Sequence, residues 1–396
     1  MGVDPGQRST PTGLHPPDCA IHPEEGTLIT TVSSPALNLT PGRQAYAGTE
    51  SFPPLTRAYL QLSQTVREGG LLRRTPWFYA LIGGVLVAAL AGCVTGSVLI
   101  GHSWFQLLIA AALGILFTQV AFLAHEAAHR QILSGGRAND VLPRILGAAV
   151  GMSYSWWDSK HSRHHANPNR VGRDPDIEVD TVSFLQEDAA QATGMRRLIT
   201  RRQGWLFFPL LTLEGLNLHY LSFRHLVSRQ PIKGRWAELG LLAVRFVVVL
   251  LPLFLLLPPG IAFAFIGVQL AVFGLYMGAT FAPNHKGMPV IARDAKLDFF
   301  SKQVRTSRNI SGGWWATWLM GGLNYQVEHH LFPSMPRPHL AKARRMVREQ
   351  CARLAVPYTE TSLWRSYGIV IAYLNTVGLA ARDPFECPIA ARYGRA

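Results

Sequence analysis

Charged residues are scarce in this chain of 396 residues, making up only 16% of the sequence. Soluble domains carry about 25%. Two long stretches, 76–124 and 246–284, contain no lysine, arginine, aspartate or glutamate. A helix that crosses a lipid bilayer needs about 20 consecutive apolar residues, so each stretch has room for two spans. The scarcity of charge therefore argues against a soluble protein and predicts one that is embedded in a membrane.

Cysteine clusters and cofactor motifs are also lacking. The four cysteines, Cys19, Cys93, Cys351 and Cys387, are far apart, which argues against an iron–sulfur or zinc–thiolate motif and a disulfide framework. The sequence contains neither a His-Pro-Gly-Gly haem motif nor a GxGxxG dinucleotide motif. The first 55 residues contain no apolar run, so no signal peptide is expected. Their abundant proline, glycine, serine and threonine predict a disordered cytoplasmic tail.

The uncharged stretches predict the topology. The predicted spans lie at about 76–100, 104–124, 238–257 and 261–283 and form two hairpins. Lysine and arginine flank both hairpins but are absent from their turns. By the positive-inside rule, the turns face outward, whereas both termini and the segment between the hairpins face the cytoplasm. The expected fold class is an all-α integral membrane protein with about four transmembrane helices and a cytoplasmic helical cap, located in a bacterial plasma membrane.

This topology divides the chain into three parts: the cytoplasmic tail 1–55, a membrane domain at 56–345, and a cytoplasmic C-terminal tail at 346–396. The net charge of +14 lies mostly in the cytoplasmic parts, where it is explained by topology and by contact with anionic membrane lipid. No nucleic-acid recognition motif accompanies the charge, so no nucleic-acid partner is expected.

Histidine, by contrast, is concentrated in a few places. Seven of the fourteen histidines lie in the motifs HEAAH at 125–129, HSRHH at 161–165 and QVEHH at 326–330, and an eighth follows Asn284. Histidines three or four residues apart share a face of a helix, and the topology puts all eight on the cytoplasmic side. The predicted metal ligands are His125, His129, His161, His164, His165, His285, His329 and His330.

The number of these histidines predicts two metals. Neutral imidazole is the commonest metal ligand in proteins, and eight imidazoles exceed the three or four protein ligands of one zinc. They suit a di-metal site with open positions, and a nitrogen-rich pair beside lipid favours iron and oxygen chemistry. Beyond the ligands, the sequence identifies no catalytic residue.

Other polar residues in and near the motifs are candidates for supporting roles. Metal-bound histidine usually donates its other N–H to a carboxylate or a carbonyl, and four acids are placed to accept it. Gln326 stands where the helical spacing of the third motif predicts another histidine. Asn284 and His219 are further candidates to complete the metal shell. The four acids are Glu126, Glu328, Asp174 and Asp176.

These motifs resemble those of the membrane fatty-acid desaturase family. HEAAH, HSRHH and QVEHH, in this order around two hydrophobic hairpins, are typical of that family, and the resemblance covers about residues 60–345. The sequences around HSRHH, Asn284-His285 and the third motif are most similar to actinobacterial acyl-CoA desaturases of the stearoyl-CoA type. The glutamine of the third motif is also typical of front-end desaturases, which often carry a fused cytochrome b5 domain.

The resemblance implies a non-haem di-iron centre held by the eight histidines. Such a centre uses O2 to remove two hydrogens from neighbouring methylenes of a fatty acyl-CoA or acyl-lipid and leaves a cis double bond. Each turnover needs two electrons, and the absence of a cofactor motif leads us to expect a separate donor, a ferredoxin or a flavin reductase. The basic run 337–353 is a candidate to dock that donor or to hold coenzyme A phosphates.

Three alternatives remain open at the level of sequence. A di-iron hydroxylase or ketolase of alkanes, sterols or carotenoids would use the same ligands. A membrane zinc protease would use HEAAH as an H-E-x-x-H site with Glu126 as general base, but it leaves the other two motifs unexplained. A metal transporter would need polar residues inside its spans, and the stretch 76–124 has almost none.

Overall fold

The computed structural model describes residues 54–382. The predicted tail 1–55 lies almost entirely outside the described residues, as do residues 383–396 at the other end of the chain.

The described residues are mostly helical, as the sequence predicts. A short parallel pair of strands, β1 (Arg308–Ser311) and β2 (Thr359–Ser362), departs from an all-α fold, and Arg308 pairs with Thr359 in it. The α-helices, in chain order, are α1 (Pro54–Glu68), α2 (Pro76–Ile100), α3 (Gln106–Ala128), α4 (Ala138–Ala149), α5 (Tyr154–Ala166), α6 (Gln186–Ala190), α7 (Gly194–Thr200), α8 (Gln203–Leu211), α9 (Glu214–Leu226), α10 (Arg235–Leu256), α11 (Pro259–His285), α12 (Phe299–Thr306), α13 (Gly313–Leu319), α14 (Gln326–Leu331), α15 (Arg337–Arg353) and α16 (Leu363–Gly378).

Four of these helices, α2, α3, α10 and α11, are long and apolar enough to cross a membrane. Their ends lie within a few residues of those of the four predicted spans. Large apolar side chains on α2 and α10, among them Leu99 and Leu255, are 81% and 73% exposed. Such exposure is costly in water but favourable against lipid. The outward faces of these two helices therefore fit a bilayer.

The helices α3 and α11 form the centre of the molecule. They pack tightly against each other, and at Gly114 the approach is so close that an added Cβ would lie 2.8 Å from the Cβ of Val272. Both helices also run past the predicted ends of their spans, to Ala128 and His285. As a result His125 and His285 lie in the last helical turns, where both side chains are buried.

The segment predicted as a C-terminal tail, 346–396, is folded over its described part. The boundary expected at residue 345 falls inside α15. Beyond it, β2 completes the strand pair with β1, and α16 packs against α8 and α11. The apolar residues Val370 and Leu374 of α16 are fully buried there. This part of the chain therefore belongs to the same packed unit as the histidine motifs.

Candidate metal centre

The structure brings all eight predicted histidines together in two groups, between the ends of α3 and α11 and the helices α5 and α14. Within each group the ligand atoms lie no more than 4.8 Å apart. The larger group contains His125, His129, His161, His165 and His329. The smaller group contains His164, His285 and His330.

Adjacent histidines in one motif belong to different groups. On α5, His161 and His165 point into the larger group, whereas His164 points into the smaller one. His329 and His330 divide in the same way. Residues four apart share a helix face, but neighbours are turned by about 100°. The HSRHH histidines therefore do not form a single ligand face, as their spacing suggested, and the doubled histidines link the two groups.

In the larger group, Nε2 atoms face one another. The Nε2 of His161 lies 3.2 Å from that of His125 and 2.9 Å from that of His129. The Nε2 atoms of His165 and His329 are 3.2 Å apart. In the smaller group, His164 and His285 bring their Nε2 atoms to 3.3 Å.

These separations fit a shared cation. Two imidazole nitrogens that each lie about 2.0–2.1 Å from one metal ion are about 2.8–3.4 Å apart when the angle at the ion is that of an octahedron or a tetrahedron. The buried Nε2 of His330 also has no hydrogen-bond partner, and a metal would supply one. The donor set of the described residues therefore fits two metal ions, one per group.

Carbonyl and carboxylate groups behind the smaller group fix its imidazoles. The Nδ1 of His164 lies 3.0 Å from Asp174 Oδ1, and that of His285 lies 2.9 Å from the carbonyl oxygen of Thr306. The Nδ1 of His330 lies 2.9 Å from Gln303 Oε1. An acceptor at Nδ1 places the proton there and leaves the Nε2 lone pair free to bind a metal.

Burial keeps most of these rings neutral. It lowers the pKa of His129 to about 4, and it lowers the pKa of His329 and His330 as well. For His164, burial also disfavours the charged form, but Asp176 and Asp174 outweigh it and raise the pKa. Because metals bind the neutral ring, the low pKa values prepare the site for a cation at neutral pH.

Of the four acids predicted to orient histidines, two do so. Asp174 is fully buried and accepts from the backbone N–H groups of Asn169 and Asp176 in addition to facing His164. Asp176 Oδ2 lies 3.4 Å from the same His164 Nδ1 and its Oδ1 is 3.1 Å from Lys160 Nζ. The loop after HSRHH thus holds the His164 ring in place.

The prediction that Glu126 orients an imidazole is corrected by the structure. Glu126 follows His125 on α3, so it is turned away from the histidines by about 100°. Its carboxylate accepts from both Nε and Nη2 of the buried Arg337, with Nε at 2.8 Å, and from the hydroxyl of Tyr79 at 3.2 Å. Glu126 therefore joins α3 to α15 and does not face the metal groups.

The same correction applies to Glu328, which precedes His329. Its carboxylate accepts from Asn309 Nδ2 at 2.6 Å and from the Tyr358 hydroxyl at 2.9 Å. Burial raises the pKa of Glu328 to about 7. This acid therefore ties the third motif to β1 and to the segment before β2.

Of the three remaining candidates, only Gln326 lies next to a histidine group. His219 is outside both groups: its Nδ1 donates to the carbonyl oxygen of Gly215 at 2.7 Å, and its ring packs near Phe246 and Phe273. Gln326 Nε2 lies 2.9 Å from His285 Nε2, at the edge of the smaller group. Asn284 makes no hydrogen bond to a histidine, and its Nδ2 donates to Gln326 Oε1 at 3.1 Å.

Two residues that support the site gave no signal in the sequence. Gln303 on α12 accepts at Oε1 from His330 and donates its Nε2 to the His165 carbonyl oxygen at 2.8 Å. Thr306 contributes only its backbone carbonyl, which any residue could supply. Residues 299–306 contain no recognisable motif, so only the tertiary fold identifies these two residues.

The N-terminus of α5, which carries three of the histidines, is anchored by a span. Ser153 accepts from the backbone N–H of Trp156, as an N-cap residue does. Its hydroxyl in turn donates to Glu238 Oε2 of α10 at 2.6 Å. Glu238 also accepts from the Ser155 backbone N–H and hydroxyl. A buried carboxylate at a helix N-terminus is stabilised by the helix dipole, so this contact fixes where α5 begins.

A small, mostly apolar cavity of about 30 Å³ adjoins the larger group. The side chain of His125 reaches the wall, and Ala121, one turn earlier on α3, lines the same side. The rest of the lining is Ala124, Pro143, Gly147, Val150, Met152, Ser153, Tyr154, Trp157, Met277 and Phe281.

The sequence of this chain is similar to those of known proteins over the region that contains the three motifs. The family model for fatty acid desaturases matches residues 102–362, which include all three motifs. The Delta(8)-fatty-acid desaturase of Helianthus annuus is 29% identical over 347 residues, covering 83% of this chain and 75% of its own length. Fatty acid desaturase 3 of Homo sapiens is 30% identical over 315 residues, covering 77% and 68%. The acyl-lipid (9-3)-desaturase of Borago officinalis is 27% identical over 316 residues, covering 76% and 66%.

Proposed function

Because the chain belongs to the fatty acid desaturase family, we propose that it inserts a cis double bond into a long-chain acyl-CoA or acyl-lipid in an O2-dependent reaction. It is an oxidoreductase, and its substrate class is the fatty acids. The observation that carries the finer proposal is the convergence of eight histidines into groups of five and three nitrogens. Neither a hydrolase site nor a single-metal site needs such a set.

The proposed cofactor is a pair of non-haem irons. The larger group would hold one ion, and His164, His285 and His330 would hold the other. Bound iron would activate O2, the oxidant of the reaction, for breaking an unactivated C–H bond. The protein would supply imidazoles held in or at the ends of helices and, in the three-histidine group, an acceptor at each Nδ1 that fixes the tautomer. Imidazole also binds zinc, copper and nickel, so the choice of iron rests on the chemistry of the family.

The proposed place for the acyl chain is the cavity beside His125. Its lining is mainly alkyl and aromatic, which suits a hydrocarbon chain, and it lies where α3, α4 and α11 pack together. A rigid cavity would hold a chosen pair of methylenes near the metal groups, and a displacement of about 1 Å can cost roughly 100-fold in rate. The depth of this cavity would then select chain length and double-bond position.

Filling the cavity should impair long substrates while leaving the metal content unchanged. In Ala121→Leu, the larger side chain occupies space one turn below His125, so we expect roughly a 10- to 100-fold fall in desaturation of a long acyl chain. Gas chromatography of lipids from expressing cells measures it. Ala88→Leu, the same change at an exposed position of α2, is the control. An unchanged product yield with Ala121→Leu would place the acyl chain elsewhere.

We propose that electrons arrive from a separate protein, a ferredoxin or a flavin reductase. The basic run 337–353 supports a docking role only in part, because Arg337 and Arg344 pair with the chain's own Glu126 and Glu360. The exposed cations on α15 that remain available are Lys342, Arg345, Arg348 and Arg353. An acidic carrier would complement that face better than coenzyme A phosphates alone.

The proposed location is a bacterial plasma membrane, with both termini and the metal groups on the cytoplasmic side. The distribution of basic residues around the spans supports this orientation. The curated relatives described above are plant and animal proteins. The actinobacterial acyl-CoA type therefore rests on the sequences around the histidine motifs alone.

Expression in a host that lacks the activity tests the proposal most directly. We expect a new unsaturated fatty acid in the lipids of the host and about two irons per purified chain. A hydroxylated or ketolated lipid without a new double bond would favour the related di-iron oxygenases instead. One zinc per chain would favour the protease, although the pairing of Glu126 with Arg337 leaves that mechanism without its general base.

A further inference from the structure

A backbone carbonyl determines which ring nitrogen of His285 carries the proton. Its Nδ1 lies 2.9 Å from the carbonyl oxygen of Thr306. A carbonyl oxygen only accepts hydrogen bonds, so the Nδ1 must carry the proton. The Nε2 of His285 consequently carries no proton. Its lone pair points into the three-histidine group.

Carbonyls also determine the orientation of the Asn284 amide. Its Nδ2 lies 3.1 Å from the carbonyl oxygen of Leu323 and 3.4 Å from that of Thr280. Reversing the amide would place its oxygen against both carbonyl oxygens, which cannot donate. The nitrogen therefore occupies that side, and from there it donates to the third acceptor within reach, Gln326 Oε1 at 3.1 Å.

These two assignments fix the amide of Gln326 in turn. Its oxygen faces the Asn284 N–H, so its Nε2 faces the lone pair of His285, at 2.9 Å. Gln326 is 3% exposed and has no room to exchange these partners with water. It presents N–H groups to the three-histidine group, and an amide nitrogen offers no lone pair to a cation.

The two groups also differ in how many nitrogens they offer. Five imidazoles can nearly fill the coordination sphere of one ion. Three leave open positions, as in catalytic metal sites that bind water or substrate beside three protein ligands. Gln326 stands beside the group with open positions.

We propose that Gln326 is not a metal ligand and instead donates a hydrogen bond to a small oxygen ligand or anion held at the three-histidine site. This inference rests on the proposed metal function. Once the His285 lone pair binds a cation, the Gln326 N–H loses its acceptor, and a buried donor needs a replacement. A water molecule, hydroxide or small anion on the same cation would provide it. The glutamine that breaks the histidine pattern thereby acts on what the metal binds.

Azide serves as the probe, since it is a small anion that binds open positions on ferric ions. Iron content per chain and the azide dissociation constant, from difference absorbance, are measured on the purified full-length protein. In Gln326→Leu we expect two irons per chain, as in the wild type, and azide binding weaker by about 10- to 100-fold, the effect of one hydrogen bond to a charged group. In Gln269→Leu, a matched change on α11 far from the histidines, both values should stay at the wild-type level.

Two outcomes would overturn the inference. Loss of one iron in Gln326→Leu would show that Gln326 is a metal ligand. An unchanged azide affinity in a variant that keeps two irons would show that Gln326 donates no hydrogen bond to the anion. If the leucine variant does not fold, Gln326→Glu replaces the N–H group by an oxygen in the same shape. It should weaken azide binding at least as much, and unchanged affinity there overturns the inference too. A wild-type protein without iron would overturn the proposed metal centre itself.

Discussion

His164→Ala is expected to abolish desaturation while leaving insertion into the membrane intact. His164 is one of only three nitrogens in the smaller group, and Asp174 and Asp176 hold its ring in place. Removing a residue that only hydrogen-bonds to a metal-binding histidine typically lowers metal affinity or activity by about 10- to 100-fold. Loss of the ligand itself should cost at least about 100-fold and should leave about one iron per chain instead of two.

Product chromatography, iron analysis and membrane fractionation together measure this effect. His102→Ala is the matched control, because His102 is exposed in the loop between α2 and α3, far from either group. It should retain full activity and both irons. Full activity in His164→Ala would remove this histidine from the metal shell and with it the division of the site into groups of five and three.

Arg337→Ala is expected to cause the largest loss of stability among single substitutions outside the histidine groups. The guanidinium and the Glu126 carboxylate are both buried, with 5% and 2% exposure, and form a two-pronged ion pair. Removing one partner of such a pair leaves an uncompensated buried charge, which costs about 3–5 kcal/mol. The melting temperature of the detergent-solubilised protein should fall clearly, and iron content should fall with it, since α3 also carries His125.

Two comparisons separate the ion pair from a general effect of losing an arginine. Arg345→Ala removes an exposed cation from the same helix and should change stability by less than about 0.5 kcal/mol. The double variant Glu126→Leu/Arg337→Met removes both charges and should be more stable than Arg337→Ala. If Arg337→Ala melts at the wild-type temperature, the pair does not hold α3 and α15 together.

The sequence predicts the parts of this molecule that repeat a simple physical pattern. Uncharged stretches of sufficient length predicted the four apolar helices, with ends that differ by only a few residues. The spacing of the histidines predicted which side chains the fold would bring together. Both features depend on local periodicity, which is visible in the sequence even when the tertiary contacts are unknown.

Other features depend on contacts between distant segments and have no local pattern. Glu126 meets Arg337, and Glu328 meets Asn309 and Tyr358, so the carboxylates inside the motifs serve the fold. Gln303 supports His330 from a helix without any motif. The division of His164 from His165 was implicit in helical geometry, but only the position of α14 reveals which group each ring joins. The strand β1 pairs with β2, which lies in the segment that we predicted to be a C-terminal tail.

The Glu126–Arg337 contact joins residues 211 positions apart, and this separation has a consequence for biosynthesis. At about 5–20 residues per second, the ribosome adds Arg337 roughly 10–40 s after Glu126. During that interval the second apolar helix carries a carboxylate without its partner, and the histidines of the third motif do not yet exist. A metal ion can therefore meet the complete set of eight nitrogens only late in synthesis, after the last apolar helix is finished.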